Sequence, residues 1–336
     1  VAHFGAVDGN CGDTSIGAVS DVLEHWDDLL LSSISILAGV VPYSEKILTR
    51  RTQWRSIECP LWVRNGIAMM PAKTWTALAM QTRGSGTPMI LLHGGVGSWT
   101  HWIRNIEALA DRYRVIAFDL PGYGASPDVP AGIRPEDYIA WVASAIRTVA
   151  DGGCDLVGFS FGGALAARIA VQLGATVRRL SLLAPGGFGI PIGRSIPTAK
   201  MPSSGASVAE RRAAVAANLG HWMLSKRPPP EADVVDLQIA NIERARFDSR
   251  IVSLRETMIA DMPHIAAPVQ LVWGELDRLA YPSIAARIEA CRVVRPNARC
   301  EVVMGAGHWV QYEQPEKVNQ LILQFHGDLD GPRPDE

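Results

Sequence analysis

The pentapeptide Gly158-Phe159-Ser160-Phe161-Gly162 constrains this chain more than any other stretch. It closes the apolar run Leu156-Val157 and opens the small-residue run Gly163-Ala164-Leu165-Ala166-Ala167. The pattern predicts a strand, a sharp turn and a helix, with serine at the apex. A nucleophile on so tight a turn sits in strained backbone, and the flanking chain passes very close to it. Glycine two residues before and two after removes the Cβ atoms that would collide. The hydroxyl then stands at a helix N-terminus, where free backbone N–H groups stabilise a developing negative charge. Taken alone, the same five residues also suit a surface turn that contains serine, so their context has to decide.

That context is an alternation of strand-like and helix-like runs from about residue 75 onward, which predicts a mostly parallel sheet covered by helices. Strands are expected at 74–81, 88–92, 114–119, 155–160, 177–184, 268–273 and 300–304. Helices are expected at 101–110, 135–150, 161–173, 283–293 and 315–326. Between 187 and 263 the alternation stops, and helical stretches at 207–224 and 231–246 suggest a helical insertion. The domain reading is therefore an N-terminal extension over 1–74, expected to be helical, a core over 75–186 and 264–326, the insertion over 187–263, and a disordered tail over 327–336. A length of 336 residues with 48% apolar and 20% charged residues suits one main domain with additions. The net charge of −2 gives no reason to expect nucleic acid or an anionic membrane as partner.

The apolar run at 29–41 follows Asp27-Asp28. It is too short to span a bilayer and has the wrong flank for a signal peptide. A packed helix of the extension is the better reading, with a membrane-associating helix as the alternative. Cys11, Cys59, Cys154, Cys291 and Cys300 are odd in number and widely spaced. They read as reduced thiols in a cytoplasmic setting, with a single Cys291–Cys300 bridge left open.

Serine catalysis needs a base within hydrogen-bond reach of the hydroxyl and an acid that fixes the base. In an alternating sheet the functional loops gather at the carboxyl ends of the strands. One expected strand runs into Gly274-Glu275-Leu276-Asp277 and another into Gly305-Ala306-Gly307-His308. The chain order is then Ser160, Asp277, His308, with Glu275 as a competing acid. The loop after Ala184 reads Pro185-Gly186-Gly187 and offers no carboxylate. For an oxyanion hole the candidate donors are Phe161 N–H, just after the serine, and Gly95 N–H in His93-Gly94-Gly95.

These residues carry a resemblance. HGG at 93–95, DLPGYG at 119–124, GFSFGG at 158–163, WGELD at 273–277 and GAGHW at 305–309 resemble the α/β-hydrolase superfamily from about residue 75 to 326. The resemblance implies an α/β-hydrolase fold, a mostly parallel central sheet flanked by helices, with the insertion as a helical cap over the site. It implies Ser160 as nucleophile, His308 as general base and Asp277 as orienting acid. It also implies that His93 braces the oxyanion loop and that Asp119 pins its own turn. His101 and His221 are expected to be structural or pocket-lining.

Among capped members the chain is most similar to hydrolases of meta-cleavage products from aromatic degradation, through Pro185-Gly186-Gly187 and through His308-Trp309 followed by Tyr312-Glu313. It departs from them at three polar anchors. Phe159 and His101 stand where that group usually has asparagines, and Gln238 stands where it usually has a cap arginine, with Arg244, Arg246 or Arg250 as substitutes. Loss of charge-assisted anchors weakens recognition of a dienoate acid. The expected function is thus a serine carboxylic ester hydrolase acting on small to medium apolar or aromatic esters. The alternatives are a C–C bond hydrolase of a meta-cleavage product and a non-catalytic ligand-binding protein of the same fold. Trp99, Trp102, Trp222 and Trp309 are expected to line the substrate pocket, alongside Phe161. HExxH is absent, and neither glycine-rich segment continues as a phosphate loop, so no metal and no cofactor is expected. The expected partner is a small-molecule ester, with no integral membrane span, and the oligomeric state is open.

Overall fold

A computed structural model describes residues 75–327 apart from 151, 192–194 and 204. The extension over 1–74, the tail beyond 327, Cys11 and Cys59 lie outside the described residues.

Seven strands form one sheet, β1 (Met80–Arg83), β2 (Pro88–Leu92), β3 (Arg114–Phe118), β4 (Cys154–Phe159), β5 (Val177–Leu183), β6 (Val269–Gly274) and β7 (Arg299–Val303). Their order in the sheet is β1-β3-β2-β4-β5-β6-β7. β1 runs antiparallel to β3, and the other pairs are parallel. Every residue of β2, β4 and β6 is buried. Such continuous apolar runs are what a parallel sheet covered on both faces requires. The chain steps outward from β2 to β3 and then returns to place β4 on the other side of β2. That reversal makes a crevice at the carboxyl ends of β2 and β4, where ligands bind in open sheets of this kind.

The helices are α1 (Ile106–Ala110), α2 (Pro135–Val149), α3 (Phe161–Leu173), α4 (Val208–Asn218), α5 (Asp233–Glu243), α6 (Arg250–Ser253), α7 (Met258–Asp261), α8 (Ile284–Val294), α9 (Val310–Glu313) and α10 (Pro315–Gly327). α3 is buried along most of its length, and its Gly162, Gly163, Ala164, Ala166 and Ala167 leave the sheet room to approach. α4 to α7 all lie between β5 and β6. Ser207 and Glu210 close a reciprocal capping box at the start of α4, and a π-helical turn, Leu219–Met223, follows its end.

Two expectations need correction. The strand at 74–81 is only β1, because pairing with β3 begins at Met80 opposite Phe118. The helix at 101–110 is instead a 3-10 turn, Trp99–Trp102, followed by α1. Ser98 caps that turn by accepting from Thr100 N–H at 3.2 Å, which starts it early. The Cys291–Cys300 bridge that the sequence left open is absent, and Cys154, Cys291 and Cys300 are free thiols, as the reading of reduced cysteines expects. Burial pushes the Cys291 thiol up to about 12.

A polar cluster sits inside the sheet. Ser181 Oγ of β5 lies 2.9 Å from His326 Nε2 of α10 and 3.0 Å from Gln270 Oε1 of β6. His326 Nδ1 is 3.3 Å from Asp155 Oδ2 of β4, off the line of a hydrogen bond. Ser181, His326 and Asp155 have no exposed surface.

Candidate active site

The elbow forms because β4 runs straight into α3 with one residue between them. Ser160 takes φ +52° and ψ −113°. Non-glycine residues rarely adopt such values, at a cost of about 1–3 kcal/mol. Its backbone is held on both sides. Ser160 N–H donates to Leu183 O at 2.9 Å, and Ser160 O accepts from Gly163, Ala164 and Gly186 N–H at 2.9, 3.1 and 2.9 Å. The flanking glycines are required by contact: a Cβ on Gly158 would collide with Gly162 O, and one on Gly162 with Leu92 O.

The loops after β6 and β7 bring Asp277 and His308 to the serine. His308 Nε2 is 2.9 Å from Ser160 Oγ, and His308 Nδ1 is 3.0 Å from Asp277 Oδ2. With Nδ1–H donating to the carboxylate, Nε2 is left to accept the serine proton. Asp277 Oδ1 accepts from Leu279 N–H at 2.8 Å. Burial pushes the Asp277 carboxyl up, but His308, Leu279 N–H and Arg287 together outweigh it and hold its pKa below the usual value. Glu275, the competing acid, is exposed and accepts from Gly305 N–H at 3.0 Å. The structure thus brings together Ser160, His308 and Asp277, with Glu275 pinning the neighbouring turn.

On the other side of the serine lies the loop after β2. A Cβ on Gly94 would lie 3.3 Å from Ser160 Cβ. His93 donates from Nδ1 to Gly94 O at 2.7 Å and accepts at Nε2 from Leu120 N–H at 2.9 Å. His101 Nδ1 accepts from Gly94 N–H at 3.2 Å. Burial lowers the pKa of His93 to about 4 and that of His101 well below its ordinary value. Both rings are therefore neutral props of the loop. Among the described residues, Gly95 N–H and Phe161 N–H have no hydrogen-bond acceptor. Asp119 accepts from Trp99 N–H at 2.8 Å and Ala125 N–H at 2.9 Å, which ties the loop after β3 to the same crevice.

The β5–β6 insertion grips these loops at two places. Gln238 Nε2 of α5 donates to Val96 O at 3.0 Å, and Asn241 Oδ1 accepts from Ser98 Oγ at 2.7 Å and Thr100 Oγ1 at 3.1 Å. Val96 is itself left-handed, at φ +49°. At the second place Glu313 accepts from Ser225 N–H at 2.9 Å and from Gly307 N–H at 2.6 Å. Trp309 N–H donates to Met223 O at 2.7 Å, and Arg278 donates to Gly220 O and Ser225 O. Sequence reasoning missed Asn241, Glu313 and Arg278 as site supports. Arg278 follows Asp277 directly, and Gln238 and Asn241 share a helix face at i, i+3 spacing, so those signals were present.

The four tryptophans divide. Trp102 and Trp309 have no exposed surface, which corrects their reading as pocket wall. Trp309 instead packs at 4.7 Å between ring centres on His101 and donates from Nε1 to His101 O at 3.0 Å. Trp99 and Trp222 are half-buried, and Trp222 Nε1 donates to Thr198 Oγ1 at 3.1 Å. Of the substitute arginines, Arg246 pairs with Asp128, Arg250 pairs with Asp248 at 2.8 Å, and Arg244 is exposed.

A sequence model of the alpha/beta hydrolase family matches residues 89–321. The chain is 28% identical over 271 residues to a 2-hydroxy-6-oxononadienedioate/2-hydroxy-6-oxononatrienedioate hydrolase of Burkholderia vietnamiensis, covering 74% of this chain and 91% of the relative. Among solved structures it is similar to a meta-cleavage product hydrolase of Pseudomonas fluorescens, at a TM-score of 0.60 and 20% identity over 75% of this chain and 95% of that one. It is equally similar to a carboxylesterase of Bacillus subtilis, at a TM-score of 0.59 and 22% identity over 75% and 90%. At these identities the solved structures speak for the fold.

Proposed function

This chain belongs to the alpha/beta hydrolase family, and from that premise we propose that it is a serine carboxylic ester hydrolase working through an acyl-enzyme. The observation that carries the reading is the contact of Ser160 with His308 and of His308 with Asp277, beside two backbone N–H groups without acceptors. Ser160 Oγ attacks the ester carbonyl while His308 Nε2 takes its proton. Asp277 stabilises the imidazolium that results. Gly95 and Phe161 N–H groups bind the oxyanion, each donor worth about 3–4 kcal/mol of barrier. Collapse of the tetrahedral intermediate expels the alcohol, which takes the proton from His308. Water, activated by His308 in the same way, then releases the carboxylic acid. In this reading the β5–β6 insertion is the cap over the site, and Trp99 and Trp222 are wall residues that favour apolar or aromatic esters.

A second reading, hydrolysis of a C–C bond in a meta-cleavage product, is favoured by the name of the Burkholderia vietnamiensis relative. Against it stand Gln238 in place of a cap arginine, and Arg246 and Arg250 each already paired with an aspartate. A dienoate carboxylate would then lack the bidentate partner that such acids favour. The test is steady-state turnover of p-nitrophenyl esters from acetate to decanoate beside a 2-hydroxy-6-oxo-dienoate, in wild type and Ser160→Ala. Ester turnover that disappears in the variant, with slow dienoate cleavage, is the expected result. A kcat/KM for the dienoate far above that for every ester would replace the ester reading with the C–C reading.

A further inference from the structure

We propose that Gln238 is a positioning residue for the oxyanion hole, acting through the strained backbone of Val96. The inference rests on the reading of Gly95 N–H as an oxyanion donor. Val96 follows Gly95 directly and sits at φ +49°. A β-branched side chain in the left-handed region is an outlier that the surroundings must hold in place. The loop around it is held from two directions. From the core side His101 accepts Gly94 N–H, and a Cβ on Gly97 would collide with its ring, so the imidazole fills the inside of the curve. From the insertion side Gln238 donates to Val96 O at 3.0 Å, while Asn241 holds Ser98 and Thr100. Gln238 is 8% exposed, so its amide is held inside the fold against the half-buried Val96.

Losing the Gln238 donor leaves Val96 free to relax toward φ below zero. A rotation at Val96 passes into the peptide between Gly95 and Val96 and tilts Gly95 away from the carbonyl oxygen. The insertion therefore does more than cover the crevice: one amide on α5 sets the aim of a donor that belongs to the core.

The experiment is a double-variant cycle read by the rate at which diethyl p-nitrophenyl phosphate labels Ser160. Labelling uses the oxyanion hole and needs no carboxylic ester, so a failed ester assay leaves it standing. Gln238→Met, close in shape but without the donor, is expected to slow labelling at least tenfold, part of the roughly hundredfold or greater loss that removing one oxyanion donor outright costs. Val96→Gly removes the strain that Gln238 opposes. In that background the same Gln238→Met change is expected to cost less than about threefold, a coupling that independent sites do not show. Equal losses in both backgrounds, or no loss in either, would overturn the proposal. Melting midpoints of all four proteins separate a misfolded variant from a misaimed donor, and Gln238→Glu repeats the test if Gln238→Met does not fold. Wild type that resists labelling altogether would remove the oxyanion reading and this inference with it.

Discussion

Ser160, His308 and Asp277 at the strand ends, and Ser181, His326 and Asp155 within the sheet, are the same three residue types with the same 2.9 Å between serine and imidazole. Their surroundings differ in everything else. Ser160 stands on a left-handed turn, half-buried, next to two backbone donors without acceptors. Ser181 lies in mid-strand with no exposed surface, its backbone engaged by β4 and β6 and its hydroxyl hydrogen directed at Gln270. Asp277 faces His308 along a hydrogen bond, whereas Asp155 is 3.3 Å from His326 and also 3.4 Å from Arg178. Residue types and separations thus define a polar network. In the proposed reading, access and spare backbone donors are what turn one into a nucleophile.

Matched substitutions in the two clusters would break this comparison most directly. Ser160→Ala is expected to lower kcat by roughly 10⁴-fold or more with an unchanged melting midpoint. Ser181→Ala should do the reverse, keeping kcat within about twofold and lowering unfolding free energy by about 1–3 kcal/mol, because His326 and Gln270 lose a buried partner. Asp277→Asn should cost roughly 10³–10⁴ in kcat by favouring the wrong imidazole tautomer, while Asp155→Asn should leave the pH–rate profile where it was. Turnover measured for the pairs side by side decides whether the clusters are distinct in function.

Acid sharpens the contrast by separating the clusters on the pH axis. Burial depresses the folded-state pKa of His93, to about 4, and lowers those of His101 and His326. The unfolded chain therefore binds these protons first. For His93 this stability is whole above about pH 6.5 and is lost as pH falls toward 4, by about 1.4 kcal/mol per pH unit, and His101 and His326 lose theirs in the same direction as pH falls below about 6.5. Asp277, also depressed, adds its loss only as pH falls below the ordinary carboxyl value of 3.8. Urea unfolding across this range should show a first decline in wild type that shrinks in His326→Phe. A smaller loss of turnover than in the Ser160 and Asp277 variants is expected from Glu313→Gln, which weakens the tie between Gly307 and Ser225 and should lower kcat about tenfold through a displaced His308.

Much of the site was legible because its chemistry sits in short, rigid turns at strand ends. The elbow glycines, Asp277 and His308 each follow a strand that the apolar pattern marks within a residue or two. The insertion was less legible. Its grip on Val96, Ser98 and Thr100 spans more than 140 positions of chain, so no local pattern records it. Tryptophan was ambiguous for a different reason: a large apolar ring suits a core and a pocket equally, and only packing assigns Trp102 and Trp309 to the interior. The 3-10 turn at Trp99–Trp102 was hidden because Ser98, a capping residue, ends a segment with three glycines, Gly94-Gly95-Val96-Gly97, that reads simply as loop.

The loops that carry Asp277 and His308 hold the stretch after α4 chiefly by its main chain, through Gly220 O, Met223 O, Ser225 O and Ser225 N–H. Such holds recognise the path of the backbone and are blind to the side chains along it. His221 and Trp222 can therefore be exchanged over evolutionary time, or in a library, without unfastening this stretch from its supports. If Trp222 is the wall residue proposed above, diversity at those two positions is a direct route to new substrate preferences.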